Sequence, residues 1–169
     1  LSLEEDDFDT LGSWSGYKAG STIKASIKEN AENEKTTVLI LDADNNFNSR
    51  KQEVLTDFEA INIRVHLFLF PNNNSTGSLE NVLCEIASER KIISCFEEYQ
   101  VCVSEYQSPL IKSKIFAYLD ALLPTKNKQS DKYNLIQDAN RDFKNTAHWN
   151  LQHEYLNSLK EFFTPLIEG

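Results

Sequence analysis

Two short apolar runs, each followed by a helical pattern, organise the first half of the chain. Residues 36–41 are a continuous β-branched and apolar run, which is typical of a strand buried on both faces of a parallel sheet, and residues 63–70, which are largely apolar, predict a second buried strand. Helical patterns follow both runs, with Asn48 or Ser49 as the expected cap of the first helix and Ser78 as that of the second. This order predicts a βαβ unit and therefore a parallel sheet flanked by helices.

Helical periodicity also appears before and after this unit. Residues 18–33 carry an apolar residue at every fourth position, which predicts an amphipathic helix, and residues 8–14 are a candidate short strand. Beyond about residue 90 the strand signals end, and three helices are predicted at 92–106, 110–123 and 151–167. We therefore expect an α/β domain over residues 1–90 and a helical extension packed on it over residues 91–169.

The amino-acid composition limits which classes of protein the chain can belong to. The 169 residues are 40% hydrophobic and 25% charged, as in globular proteins, and the sequence contains no apolar run long enough to span a bilayer. The chain has 17 basic and 26 acidic residues, which give it a net charge of −9. Because nucleic-acid binding usually depends on a basic surface, any action on nucleic acid is expected to need a local basic groove or a protein partner that supplies one.

The cysteines indicate a reducing compartment. Cys84, Cys95 and Cys102 form no CxxC pair and have no histidine at metal-ligand spacing, so a zinc site is not predicted. An odd number of cysteines without a signal segment favours a cytoplasmic protein. The simplest interpretation is three buried apolar thiols.

The strongest chemical signal is the acidic loop after the first predicted strand, Asp42-Ala43-Asp44. Ligands of open parallel sheets bind beyond the carboxyl ends of the strands, and residues two apart at a strand end point the same way. Two carboxylates placed so near to each other repel unless a cation binds between them. Hard oxygen ligands of this kind suit Mg²⁺ or Mn²⁺. The alternative is an acidic surface turn, since a DxD pattern alone is short.

Other candidates surround this pair in the expected fold. The second strand leads into a loop that should lie at the same sheet edge, where Glu80 is a candidate third carboxylate or an acid that stabilises a helix N-terminus. Arg50 is a candidate phosphate ligand or a salt-bridge partner of the aspartates. Lys18 and Lys114 are further candidates to offset phosphate charge, with solvated lysines as the alternative.

These residues resemble a known family. Leu39-Ile40-Leu41-Asp42-Ala43-Asp44 followed by Arg50, then Phe70-Pro71-Asn72 and Gly77-Ser78-Leu79-Glu80, look like the toprim (topoisomerase–primase) fold, a Rossmann-like sheet. More narrowly, they are similar to bacterial toprim-like proteins related to the overcoming-lysogenization-defect (OLD) nucleases. The resemblance covers residues 8–90 and says little about the helical extension.

The resemblance implies Mg²⁺-dependent chemistry on phosphodiesters, with Asp42 and Asp44 as metal ligands and Glu80 as a further acidic ligand. It also implies an earlier strand ending in Glu-Gly that carries the catalytic glutamate, and no such unit precedes Phe8 in this sequence. The chain begins at Leu1 and has no methionine, so one expectation is that the first strand and helix are missing from it. The other is that the catalytic acid has been lost.

Three functions follow from this pattern. The first is a metal-dependent nuclease-like protein of bacterial DNA repair or defence, which binds nucleic acid beside a protein partner. The second is a catalytically inactive toprim-like module that binds another protein. The third is a phosphatase or nucleotide hydrolase for small substrates, which would need no long basic groove and would better suit the negative charge.

Overall fold

The computed structural model describes residues 14–106, 109–123 and 141–168. The chain divides into two compact units, the first formed by Leu1–Ser78 and Asn157–Gly169 and the second by Leu79–Leu156. The boundary expected near residue 90 lies inside the second unit. No helix among the described residues is long and apolar enough to cross a membrane.

The helices and strands follow the predicted order. In chain order they are α1 (Trp14–Ala19), α2 (Ser21–Glu32), β1 (Val38–Asp42), α3 (Phe47–Glu59), β2 (His66–Phe70), α4 (Leu79–Ile86), α5 (Arg90–Cys102), α6 (Ile111–Leu122), a 3₁₀ turn (Glu154–Leu156) and α7 (Asn157–Glu168). The strand expected at 8–14 lies outside the described residues except for Trp14, which begins α1. The expected helix at 18–33 corresponds to the end of α1 together with α2.

The two strands form a parallel pair at the centre of the first unit. Val38 lies opposite His66 and Asp42 lies opposite Phe70, and α3 connects the strands. The chain is therefore an α/β protein with the βαβ unit that the apolar pattern predicts. Because the strands run parallel and in register, Asp42 and Phe70 end them at the same edge of the sheet.

One face of the sheet packs against α1, α2 and α3. Leu39 and Leu41 of β1 and Leu67 and Leu69 of β2 alternate toward this side, as side chains on a strand do. They join a buried cluster that also contains Tyr17, Ile27, Ala43, Val54 and Phe58. The cluster fixes the register of both strands, since a slip by one residue would turn these leucines to the opposite face.

The opposite face is only partly covered. Phe68 is fully buried, and its ring centroid lies 5.3 Å from that of Phe162 in α7. Ile40, which pairs with Phe68, stays 37% exposed and borders an open groove along α7. The prediction that β1 is buried on both faces is therefore wrong at Ile40, because α7 covers the β2 side of the sheet more completely.

The second unit consists of α4, α5, α6 and the segment 141–156. Trp149 is fully buried, its backbone pairs with that of Ala87, and its indole N–H donates to the carbonyl of Asp142 over 3.2 Å. The hydroxyl of Tyr118 donates to the carbonyl of His148 over 2.6 Å. These contacts hold the segment around Trp149 against α4 and α6.

The three cysteines differ in environment. Cys84 is buried in α4, whereas Cys95 and Cys102 are exposed, so the expectation of buried thiols is confirmed only for Cys84. Burial raises the pKa of the Cys84 thiol to about 11. This thiol is therefore protonated at neutral pH and acts as a small apolar side chain.

The buried cluster of the first unit yields a stability prediction. Phe58 is 1% exposed, whereas Ile61, just beyond the same helix, is 47% exposed. We expect Phe58→Ala to lower the free energy of unfolding by about 3–5 kcal/mol, because the lost ring leaves a cavity beneath the sheet. Ile61→Ala should change it by less than about 0.5 kcal/mol. Urea denaturation measures both, and equal losses would contradict the assignment of this core.

Candidate functional site

The loop that ends β1 carries the two aspartates at the carboxyl edge of the sheet. Leu41 and Ala43 belong to the buried cluster, while Asp42 is partly exposed and Asp44 is exposed. The alternation of burial thus continues past the end of the strand and leaves both carboxylates outside the core. The position of Asp42 at a strand end is as the sequence predicts, and the convergence of the two carboxylates on one spot remains a prediction.

The backbone of Asp44 is fixed to the loop that follows β2. The Asp44 N–H donates to the Gly77 carbonyl, and the Gly77 N–H donates to the Asp44 carbonyl, each over 2.8 Å. Asp44 has a φ of 52° and Gly77 a φ of 138°. Aspartate tolerates the left-handed region, and the backbone angle at residue 77 favours glycine. The strand-end loops are therefore tied together at the edge where the aspartates lie.

Asparagines shape the exit from β2. The Asn73 side chain accepts a hydrogen bond from the Leu69 N–H over 3.1 Å, and the Asn73 N–H donates to the Leu69 carbonyl over 2.7 Å. Asn72 accepts bonds from the backbone N–H groups of Asn74 and Ser75. The asparagine side chains thus supply hydrogen bonds to backbone groups that no longer have a partner in the sheet. These bonds close the turn.

The start of α3 forms the other side of the site. Asn46 caps the helix by accepting a hydrogen bond from the Ser49 N–H over 3.1 Å. The predicted cap at Asn48 or Ser49 is therefore wrong, because the helix begins at Phe47, earlier than the apolar pattern suggests. An open depression of about 490 Å³ lies here, lined by Ala43, Asp44, Asn45, Asn46, Ser49, Arg50 and Glu53.

Arg50 contacts Asp44, the second aspartate of the loop, directly. Its guanidinium forms an ion pair with the Asp44 carboxylate and lies over the ring of Trp14, with 3.7 Å from Cζ to the ring centroid. The Arg50 side chain is 14% exposed and that of Asp44 is 49% exposed. Of the two interpretations of Arg50, the structure contains the salt bridge.

The lysines near the start of the chain pair with other acids. Lys18 Nζ lies 2.5 Å from Glu53 and 3.4 Å from Asp57, and Lys24 Nζ lies 3.5 Å from Asp57. The Tyr17 hydroxyl donates to the same Asp57 carboxylate over 3.1 Å. Lys18, a candidate phosphate contact, therefore neutralises carboxylates of α3 in this structure.

These contacts set the protonation of the Asp57 group. Burial opposes ionisation of Asp57, but the Tyr17 hydrogen bond and the charges of Lys24 and Lys18 outweigh it and lower the carboxyl pKa. Burial and the neighbouring Asp57 raise the pKa of Tyr17. Tyr17 therefore remains a hydrogen-bond donor to an ionised Asp57 at neutral pH.

The remaining candidates belong to the second unit. Glu80 is buried in the first turn of α4, and its carboxylate lies 3.6 Å from Lys112 Nζ. Lys114 Nζ lies 3.0 Å from Glu97 Oε1, with 13% of the lysine side chain exposed. Glu80 and Lys114 therefore each have a partner within the second unit. The metal role of Glu80 and the phosphate role of Lys114 remain predictions.

The two aspartates are a small candidate ligand set for a metal ion. Among the described residues there is no group of three or more His, Cys, Asp or Glu side chains placed to hold a metal ion. Mg²⁺ does not require such a group, since it keeps several waters and is commonly held by one or two carboxylates together with substrate phosphates. Asp42 and Asp44 would have to form this weaker type of site, in which water supplies the other ligands.

Comparison of the chain with known protein families found no matching family model, and comparisons with curated proteins and with solved structures found no significant match.

Two contributors to the site are absent from the sequence-based candidates. Trp14, assigned to a strand, provides the ring on which Arg50 rests, and Gly77 fixes the Asp44 backbone. The i, i+3, i+4 spacing of Trp14, Tyr17 and Lys18 is a helical signal that marks an aromatic and cationic face. The Gly77 pairing has no local sequence signal, because it depends on how two loops meet.

The contacts of Asp57 with Tyr17, Lys18 and Lys24 predict a pH-dependent contribution to stability. Since folding lowers the Asp57 pKa, its stabilisation is complete above the unfolded value of about 4 and is lost as pH falls through the folded value. The difference in unfolding free energy between wild type and Asp57→Asn should therefore be largest near neutral pH and shrink in acid. Urea denaturation at a series of pH values measures it; a difference that is constant across the series would contradict this account.

Proposed function

We infer that the chain binds Mg²⁺ or Mn²⁺ through Asp42 and Asp44 and acts on phosphodiester bonds, as a nuclease-like protein. The observation that carries this proposal is the loop Asp42-Ala43-Asp44. It leaves two carboxylates outside the core at the carboxyl edge of a parallel strand pair, and two backbone hydrogen bonds to Gly77 hold it there. This edge is where parallel sheets bind ligands.

The chemistry of the surrounding residues supports a phosphate-containing ligand. The open depression beside Asp44 is lined by the polar side chains of Asn45, Asn46 and Ser49 and by Arg50. Arginine is suited to phosphate because its planar guanidinium can donate two parallel hydrogen bonds. We assign Arg50 as the phosphate contact and the two aspartates as the metal ligands.

A divalent ion at this site would polarise a phosphoryl oxygen and lower the pKa of a bound water. The protein residues would hold and orient the reacting groups: Asp42 and Asp44 fix the cation, and Arg50 neutralises charge on the phosphate. With a net charge of −9, the chain would act on nucleic acid beside a partner that contributes a basic surface.

A small phosphate ester is the second candidate substrate. The depression beside Asp44 has a volume of about 490 Å³, which is within the range of small-molecule sites. A small substrate also needs no long basic surface, so it agrees with the acidic composition. Parallel assays on nucleic acids and on small phosphate esters separate these two substrates.

The metal claim is tested by calorimetric titration with Mg²⁺ and with Mn²⁺. Asp42→Asn keeps the size of the side chain and removes one charged ligand, so we expect at least about tenfold weaker binding. Glu59→Gln is the matched control, because it makes the same charge change at an exposed position of the same unit. Absence of binding by the wild-type protein, or equal affinity for wild type and Asp42→Asn, would overturn the proposal.

Activity is tested in the same variants with Mn²⁺ present. The substrates are single- and double-stranded DNA, RNA and p-nitrophenyl phosphate, and the result expected is cleavage that Asp42→Asn abolishes and Glu59→Gln retains. Metal binding without turnover of any substrate by the wild-type protein would contradict the enzymatic part of the proposal. It would instead favour a metal-binding module without catalysis.

A further inference from the structure

The Asp44 carboxylate already has a cationic partner, held by two different contacts. Arg50 forms an ion pair with Asp44, and its guanidinium rests on the Trp14 ring at 3.7 Å. Only 14% of the Arg50 side chain is exposed, so the guanidinium is oriented by its surroundings. An arginine fixed on an aromatic face keeps its position at a lower entropic cost than a free surface arginine.

This arrangement places two cations in competition for one carboxylate. A divalent ion bound to Asp44 would lie within a few ångströms of the guanidinium, and like charges at that separation repel strongly near a protein surface. The ion pair also lowers the negative potential that attracts a metal. Because the ion pair of Arg50 is with the Asp44 carboxylate, the effect is expected mainly through Asp44.

We propose that Arg50 is a built-in competitor for the metal at Asp44, which the incoming ion displaces from the carboxylate. This inference rests on the proposed metal function. The displaced guanidinium is then free to bind a phosphate, so the salt bridge and the phosphate contact are two positions of one side chain. The metal-free protein thereby keeps Asp44 neutralised, and the arginine becomes available to phosphate only once metal is bound.

Trp14 provides a direct signal of this exchange. Its ring stacks on Tyr17 with 4.9 Å between centroids, and Tyr17 is fully buried, so the indole has an anchor that does not depend on Arg50. Departure of the guanidinium would change the environment of one indole face. The other tryptophan, Trp149, is fully buried in the second unit and contributes a constant background.

The first measurement is the affinity for Mn²⁺, by calorimetry, of wild type, Arg50→Gln and Lys51→Gln. We expect Arg50→Gln to bind roughly fivefold more tightly, as removal of a competing surface ion pair allows. Lys51→Gln makes the same charge change one residue away, at a lysine whose ammonium lies over the Phe47 ring, and should bind like wild type. Arg50→Lys keeps a cation near Asp44 and should bind less tightly than Arg50→Gln.

The second measurement is tryptophan fluorescence during a parallel titration with Mg²⁺, which is diamagnetic and does not itself quench an indole. Wild type should show a saturable change at the calorimetric affinity for Mg²⁺, and Trp14→Phe and Arg50→Gln should lack it. Saturable Mn²⁺ binding by wild type with no gain in affinity for Arg50→Gln would overturn the competition while leaving the metal site intact. So would an equal gain for Lys51→Gln, which would indicate a general charge effect. Absence of binding in wild type and Arg50→Gln would overturn the metal proposal itself.

Discussion

The parallel pairing of β1 and β2 is the constraint on which the rest of the site depends. Leucines from both strands bury one face of the sheet against α1, α2 and α3, which fixes the register and ends both strands at one edge. The exit loops must then meet, and they do so through the paired backbones of Asp44 and Gly77. The position of the aspartates is thus a consequence of core packing, since Leu41 and Ala43 turn inward and leave Asp42 and Asp44 outside.

Charge neutralisation is the second organising feature of this unit. Asp44 forms an ion pair with Arg50, and the Asp57 carboxylate accepts hydrogen bonds from Tyr17, Lys18 and Lys24. Trp14 links the two groups, because Arg50 and Lys18 both lie over its ring. In an acidic chain this concentrates positive charge beside the strand-end loop Asp42-Ala43-Asp44. The same residues that stabilise α1 against α3 therefore control the charge around the candidate metal ligands.

The sequence predicted the elements well and their contacts less well. Helices and strands follow from apolar periodicity, and the placement of Asp42 at a strand end follows from the buried run before it. The burial of β1 was overestimated at Ile40 because a continuous apolar run does not reveal how much of a face α7 covers. Arg50 was recognised as a candidate, but its Trp14 partner was not, since that contact joins helices separated by a strand. The two-unit division likewise depends on long-range packing that periodicity does not contain.

The central claim is that Asp42 and Asp44 together hold a divalent cation, and its most direct test is an anomalous difference map from crystals grown with Mn²⁺. The account predicts a peak within about 2.2 Å of carboxylate oxygens of both aspartates, with the Arg50 guanidinium moved away from Asp44. A map with no peak at the aspartate pair at saturating Mn²⁺, with Arg50 still bound to Asp44, would contradict it.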